Sequence, residues 1–86
     1  MHEHGNFVTR LKRAHGHLGR TIEMLDAGRD VLEVAQQMQA VIGALQKAKT
    51  ALVHDHIEHH LEEATGPLPK KVREQIAQLA ELAKYL

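Results

Sequence analysis

The 86-residue chain has no cysteine, no tryptophan, one tyrosine, one phenylalanine and two prolines. Each absence removes a class of chemistry. Without cysteine there is no disulfide, no thiolate metal site, no thiol nucleophile and no thiol redox sensor. Two aromatic rings are too few for a base-stacking platform. An excess of one charge is also missing, because 11 Lys+Arg balance 11 Asp+Glu. A nucleic-acid surface would therefore have to come from local clustering or from assembly. No apolar run reaches transmembrane length and no signal-peptide pattern opens the chain, which reads as soluble and cytoplasmic with no membrane partner. Strand signals are absent: β-branched residues are few and do not alternate with polar ones. At this size a single core is marginal, so the chain needs a metal or a partner subunit.

What the chain does have is helical periodicity. Gly28 and Gly66-Pro67-Leu68-Pro69 punctuate three apolar-periodic segments. They predict helices over about 6–27, 30–64 and 69–86, in one all-α domain covering 1–86. In the first, Phe7, Leu11, Ala14, Leu18, Ile22 and Leu25 form a stripe. Asn6 is the expected cap and Gly28 the left-handed residue after the end. Gly16 and Gly19 each cost about 1 kcal/mol inside a helix, so they need another reason, such as close approach of a second helix or of DNA. The second segment opens with Asp30 and Glu33 spaced as a capping box. Its apolar period then runs to about Ala64, a helix about 50 Å long. A chain this small cannot cover such a helix alone, which predicts an oligomer built around it. Pro69 is the expected first residue of the third helix.

The enriched residue is histidine, with eight copies. Four fall in His54-Asp55-His56-Ile57-Glu58-His59-His60. His56 and His60 are an i, i+4 pair that shares one helix face and can grip one metal ion. At 100° per residue, Val31, His56 and His60 point within about 20° of one direction, along the apolar seam. His2 and His4 could chelate from an extended N-terminus, together with the terminal amine. Imidazole and carboxylate donors suit Ni²⁺, Co²⁺ or Zn²⁺ and argue against Cu(I), which prefers soft sulfur.

Basic residues gather on the first segment as Arg10, Lys12, Arg13 and Arg20, and on the second as Lys47 and Lys49. Arg10, Arg13 and His17 share a face, and Gly16 would let that face approach a phosphate backbone. Repetition of the patch by oligomerisation would add phosphate contacts. Neither helix-turn-helix spacing nor a zinc finger is present.

Three patterns together carry a resemblance: Arg10-Leu11-Lys12-Arg13-x-x-Gly16-His17, then Gln36-Gln37-Met38-x-Ala40-Val41-x-x-Ala44, then Asp55-His56-x-x-x-His60. In order and spacing they resemble the CsoR/RcnR family of small helical metal- or aldehyde-sensing transcriptional repressors. The resemblance covers nearly the whole chain. It implies a three-helix protomer, an antiparallel four-helix-bundle dimer, and a dimer of dimers, hence a homotetramer. It also implies operator DNA that is released when an inducer binds. The family's sensing positions look like Val31 of one protomer with His56 and His60 of the other. Position 31 is usually a cysteine in this family, and here it is Val31. The resemblance to the nickel and cobalt branch implies His2 or His4 as a further ligand. His17, where the family commonly has glutamine, could be a substitute ligand or a DNA contact, and His59 and Glu58 are further candidates.

These features predict a repressor released from operator DNA when Ni²⁺, Co²⁺ or Zn²⁺ binds the histidine site. One alternative keeps the fold and the DNA binding without a metal response. Another is a helical interaction or metal-buffering protein that does not bind DNA. No nucleophile or phosphate-binding loop is apparent, so neither an enzyme nor an organic cofactor is expected.

Overall fold

The computed structural model describes residues 4–85, and all regular structure among them is helical. Helix α1 spans Gly5–Asp26, α2 spans Val31–Thr65 and α3 spans Lys70–Ala83. The helix ends depart from the sequence expectation by a few residues at most, and each departure has a local cause.

Asn6 does not cap α1. His4 is the N-cap, without a side-chain cap bond, and Asn6 lies inside the first turn. The His4 carbonyl accepts the N–H groups of Phe7 and Val8 at 3.0 Å each, which carries the helix past Asn6. At the other end Gly28 has φ +76°. The Arg29 N–H bonds the Met24 carbonyl at 3.0 Å and the Gly28 N–H bonds that of Leu25 at 3.1 Å. This pair of bonds is a Schellman motif, which satisfies carbonyls that the helix leaves open.

The capping box at Asp30 does not close as expected. The Glu33 carboxylate accepts a hydrogen bond from the Arg29 guanidinium one turn back. A charged donor makes a stronger bond than a neutral backbone N–H, so the arginine wins the carboxylate. Both side chains remain substantially exposed, so the pair adds little stability. Helix α2 ends on Gly66, with φ +84° and its N–H on the Glu62 carbonyl at 2.8 Å. Pro69 precedes α3 rather than starting it. Its ψ of 150° is extended, and its carbonyl accepts the Arg73 N–H at 3.1 Å. Periodicity predicts a third helix running to Leu86. Helix α3 instead stops at Ala83, where the N–H groups of Lys84 and Tyr85 reach back only three residues, to Glu81 and Leu82. Leu86 lies outside the described residues. Lys84 Nζ hydrogen-bonds Glu81 Oε2 at 2.8 Å, and this bond, aided by the carboxylate charge, raises the lysine pKa above its ordinary value.

The described residues fall into two compact units, 4–48 and 49–85. In the first, Ala14 and Thr21 of α1 are buried with Val34, Val41 and Ala48 of α2. The seven-residue spacing on both helices marks one seam along which they meet. Thr21 is the buried polar residue of this seam, and its hydroxyl donates to the His17 carbonyl at 2.9 Å. This satisfies the hydroxyl without a partner from another helix. In the second unit Ile76 and Ala80, one turn apart on α3, are the buried residues. Both cores are built mainly from small side chains. Larger apolar residues stay outside: Val31 is 74% exposed and Ile42 54%.

The expectation that Gly16 and Gly19 admit a neighbouring helix is not met within the described chain. A Cβ at Gly19 would meet nothing within 4 Å, and one at Gly16 would meet only the Arg20 guanidinium at 3.6 Å. Two substitutions therefore go in opposite directions. Gly28→Ala puts a Cβ on a left-handed residue and lowers stability by about 1 kcal/mol. Gly19→Ala raises the stability of the dilute chain by about the same amount. Thermal melts of the two variants at low protein concentration, followed by circular dichroism, check both signs.

Candidate functional site

The last four turns of α2 carry the densest set of metal donors. The rings of His56 and His60 lie edge to face with centroids 4.4 Å apart, and both residues are exposed. The four-residue step places them together, as the sequence predicts. Their neighbours pair elsewhere on the helix. His54 Nε2 is 3.1 Å from Glu58 Oε2, and His59 Nε2 is 3.1 Å from Glu63 Oε1. Among the described residues no group of three or more His, Asp or Glu is placed to hold one ion. The donor chemistry therefore fits a divalent metal, but the described residues offer a half-site: two imidazoles on one face.

The remaining candidate ligands sit as follows. His4 is the N-cap of α1, with its ring centroid 6.3 Å from that of Phe7. His2 lies outside the described residues. Val31 opens α2 and offers no donor atom. His17 points into the α1–α2 seam, where its Nε2 is 2.7 Å from Gln37 Oε1. An amide oxygen only accepts, so Nε2 donates, and the hydrogen bond fixes that tautomer.

The basic residues separate into groups. Arg10, Arg13 and Lys47 line a groove of about 270 Å³ with Ala14, His17 and Ala44. No acidic side chain lines it, so its charge is of one sign. Its positive wall comes from Arg10 and Arg13 on one face of α1, closed by Lys47 from α2. Arg20 opens on a second groove of about 520 Å³, which also contains Arg29, Glu23 and Glu33. Its mixed charge suits a phosphate backbone less well. Lys12 is exposed on α1 and lines neither groove, and Lys49 belongs to the other compact unit. Helical spacing identifies Arg10, Arg13 and His17 as a face but gives no sign of Gln37. No periodicity could pair Gln37 with His17 before the two helices were docked.

The chain is similar to proteins of known kind. The profile of the metal-sensitive transcriptional repressor family matches residues 3–85. A copper-sensing transcriptional repressor CsoR of Mycobacterium ulcerans (strain Agy99) is 37% identical over 51 residues, which are 59% of this chain and 44% of that protein. Proteins of the same name from Mycobacterium bovis (strain BCG / Pasteur 1173P2) and Mycobacterium tuberculosis (strain ATCC 25618 / H37Rv) are 33% identical over 51 residues, 59% of this chain and 43% of theirs. The chain thus spans less than half the length of these curated relatives in the matched region. No solved structure matches it. The family profile covers all but a few residues at the two ends, and the chain belongs to the metal-sensitive transcriptional repressor family.

Proposed function

We propose that this chain is a metal-responsive transcriptional repressor that releases operator DNA when Ni²⁺, Co²⁺ or Zn²⁺ binds at His56 and His60. The observation that carries this reading is the exposed His56–His60 pair, a two-donor half-site with no third ligand beside it among the described residues. Two imidazoles leave a metal with open positions, and a second copy of the chain is the source of the rest. His2 or His4 and the terminal amine are the donors proposed to complete the set.

Two features favour a second copy. Helix α2 has 35 residues, about 50 Å of helix at 1.5 Å per residue. Its uncovered side carries Met38, Ile42 and Leu45 in one unit and Leu52, Val53 and Leu61 in the other, all exposed. Burying each such side chain is worth about 1.5–3 kcal/mol, so a self-complementary helix face has a strong reason to pair. We extend this to the homodimer and homotetramer.

For DNA, the single-sign groove of Arg10, Arg13, His17 and Lys47 is the proposed phosphate contact, with Lys12, Arg20 and Lys49 adding to it across an assembly. The mycobacterial relatives are named as copper sensors. Cu(I) favours thiolate and thioether ligands, and this chain has no cysteine. Nitrogen donors favour the borderline divalent ions, and this is why we assign them here. Val31 supports a second reading, in which operator binding persists without any metal response.

Operator retention measured against Ni²⁺, Co²⁺ and Zn²⁺ tests the first reading. At least one metal should weaken DNA affinity by about 5–150-fold, the usual range of an allosteric coupling, and His60→Ala should remove the effect. Unchanged affinity with all three metals selects the second reading. Arg13→Ala should weaken operator binding and make the dependence of log affinity on log salt shallower, by about 0.9 for each phosphate that Arg13 neutralises. An unchanged slope would remove Arg13 from the DNA surface.

A further inference from the structure

His54 is the one histidine on α2 whose ring nitrogen is both sealed from solvent and left without a hydrogen bond among the described residues. Glu58 Oε2 lies 3.1 Å from that nitrogen, close enough to pair but off the line of a hydrogen bond. The next pair along, His59 and Glu63, has the same 3.1 Å separation, but its carboxylate side chain is 62% exposed and water can satisfy it. The Glu58 side chain is 23% exposed and that of His54 33%. A sealed ring nitrogen whose neighbouring carboxylate lies off the hydrogen-bond line is poorly satisfied, and that needs a reason.

A divalent cation supplies one. Bonds of about 2.1 Å from imidazole nitrogen and carboxylate oxygen, meeting near a tetrahedral to right angle, hold the two donors about 3.0–3.4 Å apart. The observed 3.1 Å falls inside that span. An i, i+4 step on a helix is the spacing that places two ligands on one ion. We propose that His54 and Glu58 supply two ligands of a second divalent-cation site of the zinc class. It is distinct from the His56–His60 half-site. Each member of one pair is two residues from a member of the other, which turns the two sites about 160° apart around the helix. They share no ligand, and each can load with the other empty. The site does not depend on operator binding.

Zinc alone is the probe, on the full chain. In a His56→Ala/His60→Ala background, adding His54→Gln and Glu58→Gln should lower the zinc bound per chain by one in equilibrium dialysis. An unchanged count overturns the proposal. In the unsubstituted chain, zinc should shift the His54 Nε2 nitrogen resonance. A His54 resonance that stays at its metal-free position at saturating zinc overturns the proposal too, and this measurement decides alone if the substituted chains fail to fold. Operator release by metal is read separately, so failure of the repressor reading leaves this result intact, and the reverse also holds.

Discussion

Everything in this molecule follows from one mismatch: a 35-residue helix in an 86-residue chain. Helix α1 covers one line of its first half, at Val34, Val41 and Ala48. The residues facing that line include Ala14 and Thr21, so the seam is thin. Each buried methylene is worth about 0.8 kcal/mol, and alanines supply few of them. The apolar mass that would make a thicker core is on the other sides of the same helix, facing solvent. A fold arranged this way leaves its larger hydrophobic residues uncovered within one chain. On the proposed reading, a second copy is the natural occupant of the open face.

The same helix is the physical link between the two chemistries. The first half of α2 contributes Lys47 to the basic groove and Gln37 to the bond with His17. The second half carries His56 and His60. No linker interrupts the two, because α2 is continuous from Val31 to Thr65. His17 borders both grooves on the α1–α2 seam and is tied to α2 through Gln37. A movement of α2 relative to α1 would strain or break that 2.7 Å bond before it changed the arginine spacing on α1, which is set by a single helix. In the groove proposed to face DNA, the part most sensitive to α2 is therefore the α1–α2 junction at His17, rather than the arginines themselves.

Much of this is legible in the sequence, and what is not has physical causes. Three helices, their order and the glycines that end two of them follow from periodicity and from positive φ, both local properties. The ends differ from expectation where two local bonds compete. Asn6 loses the N-cap to the His4 carbonyl, and Glu33 takes the Arg29 guanidinium over a backbone N–H. The pairing of His56 with His60 and the face of Arg10, Arg13 and His17 are readable because helical spacing alone creates them. Lys47 joining that groove and Gln37 binding His17 are not. Each depends on what another segment places against it, and a single sequence carries no direct signal of that.

The missing cysteine bears most on selectivity. A thiolate separates soft ions from borderline ones by its own chemistry, before geometry matters. An all-imidazole half-site has no such filter: nickel, cobalt and zinc all accept it, in an order of affinity set largely by the ions themselves, with cobalt below nickel and zinc below copper. Discrimination must then come from how many donors the assembled protein delivers and at what angles. By the resemblance, Val31 stands where the family commonly supplies a cysteine, so on the proposed reading the third donor comes from a different place in the chain, and the N-terminal histidines are the donors proposed. On the proposed reading, selectivity is accordingly a property of the assembly. On that reading it depends on whether the start of one chain reaches the end of α2 in a second copy, and that reach, more than the identity of His56 and His60, separates a metal sensor from a helix that merely binds metal.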